Sequence, residues 1–139
     1  MSLVIRNVSI LGETAADISV VDGVIAAIAA PNSLNAATVI DASGLVLLPG
    51  LVDLHTHLRE PGREDAETVD TGTLAAARGG FTAVHAMANT TPVADTAGVV
   101  EQVWRLGQES GHCDVFPVGA VTQGLKGESL AELGAMADS

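Results

Sequence analysis

The sequence predicts a mixed α/β chain in two parts, a short β-layer followed by the opening units of a parallel sheet with helices packed on it. Three observations carry that reading. Up to about Leu48 the chain offers short β-branched strand signals separated by turns, with no helical periodicity. After Pro49-Gly50 it alternates strand, helix, strand, helix, strand, helix, the order of a parallel βα sheet. Hydrophobic residues make up 47% and aromatics only 2%, so the core must rest on Val, Leu, Ile and Ala, as it does in such sheets.

Leu3 to Ile10 is rich in β-branched residues and reads as the first strand. Ile18 to Val21 meets Asp22-Gly23, a two-residue hairpin turn in which Gly accepts positive φ, and Val24 to Ile28 is the returning strand. Thr38 to Asp41, a turn at Ala42-Ser43-Gly44, and Leu45 to Leu48 read as a second hairpin-like unit. Beyond Pro49-Gly50, Leu51 to His57 is a strand. Glu64 to Arg78 is a helix, with acidic residues near its start and Gly79-Gly80 at its end. Phe81 to Met87 is the next strand. Asp95 is the expected cap of a helix running to Ser110, with Val99, Val100, Val103, Trp104 and Leu106 on its apolar face and Gly111 as its stop. Val115 to Val121 is the third strand, and Ser129 with Glu132 is a capping-box pattern opening one more helix.

This alternation suits a doubly wound sheet or a (β/α)8 barrel. No Gly-x-Gly-x-x-Gly follows the first strand of the second part, which counts against a dinucleotide fold. A barrel needs about 250 residues, so residues 51–139 hold about three of its eight units.

Six basic against seventeen acidic residues give a net charge of −11, which disfavours nucleic acid and anionic membranes as partners. An anionic small molecule stays open, because one Arg can dominate a small pocket. The single cysteine, Cys113, permits no internal disulfide and suits a reducing compartment. The amino terminus carries no secretory pattern and the apolar stretches are too short to span a bilayer, so a soluble cytoplasmic protein is expected.

The segment from Leu51 to Arg59 carries the chemistry. Strand side chains alternate, so Asp53, His55, His57 and, if strand geometry persists, Arg59 project to one side, with Leu54, Thr56 and Leu58 on the other. Two imidazoles one residue apart can converge on one metal, at the carboxyl end of a parallel strand where barrel enzymes build their sites. Two ligands leave a catalytic zinc site incomplete, since such sites take at least three protein ligands. His85 reads as a packed core histidine, His112 as a surface residue at a helix end, and Cys113 as inert. Arg59 offers a planar fork for a carboxylate, or else a salt bridge to Glu60, Glu64 or Asp65. Asn89, in Ala88-Asn89-Thr90-Thr91-Pro92, can donate to a carboxylate and accept from an amide, or serve as an ordinary turn residue.

The run Pro49-Gly50-Leu51-Val52-Asp53-Leu54-His55-Thr56-His57-Leu58-Arg59-Glu60-Pro61-Gly62, with Glu67-Thr68, Thr71-Gly72-Thr73, Ala75 to Val84 and Met87 to Pro92, resembles the amidohydrolase superfamily and, within it, the class I dihydroorotases. The resemblance implies a (β/α)8 barrel of a metal-dependent hydrolase, preceded by strands of a small β-sandwich. Residues 1–50 would be the amino-terminal share of the sandwich, and residues 51–139 the first three or so βα units of the barrel. It further implies that His55 and His57 are metal ligands for one or two Zn2+ and that Arg59 and Asn89 hold the carboxylate of dihydroorotate or carbamoyl aspartate. The implied reaction is the reversible zinc-dependent hydrolysis of dihydroorotate in pyrimidine synthesis, by a homo-oligomer that can associate with aspartate transcarbamoylase. No catalytic residue is expected within the chain. The remaining ligands and the catalytic Asp are expected beyond Ser139, so the chain reads as an inactive fragment. Allantoinases resemble this loop but tend to place Asn where Arg59 stands, and hydantoin- and dihydropyrimidine-cleaving enzymes usually lack that Arg. A cyclic amidohydrolase of those kinds, or a non-catalytic partner subunit, is the alternative.

Overall fold

The β-branched opening of the chain forms β1 (Ser2–Ile10), the hub of the first of two units in this computed structural model, which describes residues 2–139. The units divide between Pro49 and Gly50. β2 (Ala15–Val21) pairs antiparallel with β1 and with β3 (Val24–Ala29). Asp22 and Gly23 between them both have positive φ, 49° and 81°, the two left-handed positions of a type I′ hairpin turn.

β4 (Thr38–Asp41) and β5 (Val46–Leu47) correct the expected second hairpin. They do not pair with each other. Both run parallel to β1, with Leu3 opposite Thr38 and Ile10 opposite Leu47. The Asp41–Gly44 turn steps the chain sideways without reversing it, following the irregularity in β1 between Ile5 and Val8, where Asn7 has a φ of 58°. The Ala42 N–H donates to the Arg6 carbonyl across that step, 2.9 Å. The result is one sheet in the order β3-β2-β1-β4, with β5 also on β1, over a core of Val8, Ile18 and Ala42.

Asp17 is fully buried in this unit. Its carboxylate accepts the N–H groups of Asn7, Asn32 and Leu34, each at 3.0 Å, and so ties the loop after β3 to β1. Burial pushes its carboxyl up, but these backbone donors outweigh burial and hold it below the usual 3.8. A lowered folded pKa stabilises above the unfolded value and loses that contribution as pH falls through the folded one. Acid titration of the unit's stability should therefore show a loss setting in below about pH 4 that is absent in Asp17→Asn. An unchanged acid limb in the variant would remove Asp17 as its source.

The second unit holds β6 (Leu51–Thr56), β7 (Phe81–Ala86) and β8 (Asp114–Pro117), parallel and in that order, with Asp53 opposite Val84 and Val84 opposite Val115. α1 (Val69–Arg78), α2 (Ala97–Ser110) and a short α3 (Leu133–Ala137) accompany them. Leu58, Val69, Val84, Ala86, Val103 and Val115 form the core, with Phe81 and Leu106 against it. Two helix glycines set the packing distance. A Cβ on Gly107 would lie 2.5 Å from that of Val115, and one on Gly72 2.6 Å from a Leu58 methyl. Both outer strands have a free edge, and Leu54 and Phe116 stand 70% and 47% exposed, so the described residues form an open three-stranded sheet and not a closed barrel.

Several boundaries differ from the sequence expectation. α1 starts at Val69, because Thr68 and Thr71 form a capping box and the carboxylate of Glu60 accepts the Val69 N–H at 2.8 Å. Glu64 turns back to accept the Gly62 N–H at 2.7 Å and stays in the loop. Asp95 does not cap α2. Thr96 holds that position, and the Asp95 carboxylate accepts the Gly124 N–H at 2.7 Å. β8 stops at Pro117: the Val118 N–H still donates to Ala86 O at the end of β7, but the Ala120 N–H turns to the loop carbonyl of Ala94. Ser129 makes no capping box. It lies in a small ribbon closed by the Thr122–Leu130 bridge, its carbonyl accepting the Gln123 N–H. Among the described residues no helix is long and apolar enough to cross a membrane.

Candidate active site at the carboxyl ends of the strands

β6 delivers His55 and His57 to its carboxyl end with ring centroids 5.1 Å apart and planes at 69°. The strand is held in shape by a local bond, the His55 N–H donating to Asp53 Oδ1 at 3.0 Å, which keeps the Asp53 carboxyl below its usual range. Between His57 and Arg59, Leu58 is 3% exposed and anchors the exit of the strand in the core.

Strand geometry does not persist to Arg59. β6 ends at Thr56, and Arg59 has a φ of 63°, so its direction comes from a left-handed turn and not from strand alternation. Its expected acidic partners are all engaged elsewhere: Glu60 caps α1, Glu64 takes the Gly62 N–H, and Asp65 pairs with Arg63 at 3.5 Å. Among the described residues Arg59 makes no ion pair, and its side chain is exposed. The guanidinium is thus left available to an outside anion.

Asn89 follows β7 on a tightly closed loop. The Ala94 N–H donates to Ala88 O at 3.0 Å, and Ala88, Ala94 and Ala120 form a small core beneath the loop. The Asn89 loop is also joined to the Arg59 loop, as the Thr91 N–H donates to Pro61 O at 2.9 Å. Gly62 makes that approach possible. Its φ is 104°, and a Cβ there would lie 2.5 Å from the Thr91 Cβ. The sequence offered Glu60 as a salt-bridge partner for Arg59 and Gly62 only as part of the Glu-Pro-Gly run; that Glu60 caps α1 and Gly62 admits Thr91 is visible only in the fold.

The structure joins two of the expected site residues directly. Asn89 Oδ1 lies 2.8 Å from His57 Nδ1. An amide oxygen only accepts, so Nδ1 is the donor and, in the neutral ring, Nε2 keeps its lone pair. That is the arrangement a metal-ligating imidazole needs, with the other nitrogen fixed by a hydrogen bond. The donor set therefore fits a metal at His55 and His57, but as part of a site: among the described residues no three His, Cys, Asp or Glu side chains converge.

The remaining candidates lie apart from this chemistry. His85 stacks on Phe116, centroids 5.3 Å apart, with Nδ1 3.3 Å from Asp53 O. His112 pairs with Asp70 at 3.0 Å, fastening the α2 exit to the first turn of α1. Burial raises the pKa of the Cys113 thiol, which keeps it in its unreactive protonated form.

The chain is similar to known proteins over most of its length. The dihydroorotase of Streptomyces coelicolor is 66% identical over 135 residues, 97% of this chain and 32% of its own length. That of Mycobacterium tuberculosis is 58% identical over 138 residues, 98% of this chain and 32% of its own. The chain thus spans about a third of the length of the curated relatives it matches. Among solved structures, the L-hydantoinase of Arthrobacter aurescens superposes with a TM-score of 0.71 at 28% identity, covering 86% of this chain and 28% of that one. The dihydropyrimidinase of Brevibacillus agri gives 0.63 at 30% identity, covering 88% and 28%. The Dihydro-orotase-like family profile matches residues 44–139, and the chain belongs to that family.

Proposed function

We propose that the protein to which this chain belongs interconverts dihydroorotate and N-carbamoyl-L-aspartate, a zinc-dependent opening and closing of a cyclic amide in pyrimidine synthesis. The observation that carries the reading is the Arg59 guanidinium, without an ion pair among the described residues, two residues beyond an imidazole whose Nδ1 is engaged by Asn89 and whose Nε2 is left for a metal. His55 and His57 would hold the metal, which when bound lowers the pKa of a water towards neutrality and polarises the ring amide carbonyl. Arg59 offers a two-pronged fork for the substrate carboxylate, and the Asn89 NH2 donates to the same group. Further ligands, and an Asp that moves the proton to the leaving nitrogen, are assigned to the part of the protein this chain does not span. The same reading makes residues 1–50 a share of a β-sandwich and residues 51–139 the first units of a (β/α)8 barrel. It places the protein in the cytoplasm as a homo-oligomer, with aspartate transcarbamoylase as a partner.

The likeness to the Arthrobacter hydantoinase favours a second reading, a cyclic amidohydrolase for substrates without a carboxylate. Such a substrate would leave Arg59 with nothing to bind. Turnover decides between the two. The zinc-treated 139-residue chain should turn over neither dihydroorotate nor allantoin and should retain little zinc. The same chain joined to the carboxyl-terminal two thirds of the Streptomyces enzyme should turn over dihydroorotate only. Allantoin turnover by the hybrid would transfer the function to the second reading, and dihydroorotate turnover by the chain alone would overturn the incomplete site.

A further inference from the structure

The Asn89 amide has two ends, and only one is free. Its carbonyl oxygen is turned to His57 Nδ1 at 2.8 Å, so its NH2 group is turned away from that ring. The backbone that carries it has little freedom. The Thr90 hydroxyl donates to Pro92 O at 2.7 Å, and the Thr91 and Ala94 N–H groups are bonded to Pro61 and Ala88. A histidine ring free in water prefers its proton on Nε2, the form that cannot bind a metal through that atom. A fixed acceptor at Nδ1 reverses the preference. His55 meets the His57 ring at a steep angle, and Asn89 Oδ1 is the polar partner found at Nδ1.

We propose that Asn89 is a positioning residue for His57: its carbonyl oxygen holds the imidazole in the Nδ1–H form and presents Nε2 to a metal, which leaves the NH2 of the same amide for the carboxylate contact of the proposed function. One side chain then serves both ligand geometry and carboxylate recognition, and an amide suits this because it carries an acceptor and a donor on opposite sides. The carboxylate half rests on the function proposed above. The imidazole half stands on this chain alone.

The two halves separate experimentally. In long-range 1H–15N spectra of the zinc-free chain labelled at histidine, taken above the imidazole titration range, His57 should be mainly Nδ1–H. Asn89→Ala should move it towards Nε2–H. Asn89→Asp, which offers an acceptor at either oxygen, should keep it Nδ1–H, and His85 should not respond to either change. A wild-type ring in the Nε2–H form, or an Asn89→Ala ring like the wild type, overturns the positioning role. In the hybrid enzyme, Asn89→Asp should retain zinc as the wild type does while KM for dihydroorotate rises about tenfold or more, through loss of the donor and charge repulsion. Asn89→Ala should lose both zinc retention and affinity. Tautomers as expected with KM unmoved in both variants would leave the positioning role in place and overturn the carboxylate half.

Discussion

Truncating Leu58 to Ala should cost the second unit about 2–5 kcal/mol, the range for emptying a well-packed leucine site. Leu58 is 3% exposed and shares its core with Val69, Val84, Val103 and Val115. It packs onto α1 where Gly72 leaves room, so close that a Cβ at that glycine would come within 2.6 Å of its methyl. Helix and strand exit are both tied by other bonds, including Glu60 to the Val69 N–H, so the cavity cannot readily collapse and the cost should fall in the upper half of the range. The effect reaches the site because Leu58 stands between His57 and Arg59. Urea unfolding measures the stability, and the His57 Nδ1–H signal reports whether the bond to Asn89 loosens. Leu58→Met, which conserves volume, should cost less than about 1.5 kcal/mol. A loss below about 0.5 kcal/mol for Leu58→Ala is the scale of a surface substitution and would mean that Leu58 does not anchor the strand exit.

Arg59→Met in the hybrid enzyme should lower kcat/KM for dihydroorotate by about 10²–10³-fold, or about 3–4 kcal/mol, inside the range of about 2–5 kcal/mol for losing one partner of a hydrogen-bonded charge pair. Stability should hardly change, because Glu60, Glu64 and Asp65 all bond elsewhere and the guanidinium makes no ion pair among the described residues. Arg59→Lys should restore only part of the rate, since an ammonium keeps the charge but not the planar fork. The opposite pattern, an unfolding midpoint that shifts while turnover stays within about fivefold, would reassign Arg59 to a structural role in its loop.

Much of this was legible locally. The β-branched runs, the Asp22-Gly23 turn, the Pro49-Gly50 junction and the βα alternation follow from backbone preferences and side-chain period, which act over a few residues. His55-x-His57 was legible for the same reason: a period of two puts both rings on one side of any strand. What the sequence did not reveal depends on partners distant along the chain. The Thr38–Leu48 segment has the composition of a hairpin, yet both its strands chose β1, where the irregularity at Asn7 matches their offset. Glu64, near the expected start of α1, stayed in the loop because Thr68 and Glu60 capped Val69. Arg59 left strand geometry yet remained free because each nearby carboxylate had a better-placed donor. The sequence determined by itself which polar residues, His55, His57, Arg59 and Asn89, stand at the carboxyl ends of the strands or on the loops that follow. Only the tertiary structure decided which atoms face each other, as with Asn89 Oδ1 and His57 Nδ1, because hydrogen-bond partners 32 positions apart are chosen by the packing of loops and not by local pattern.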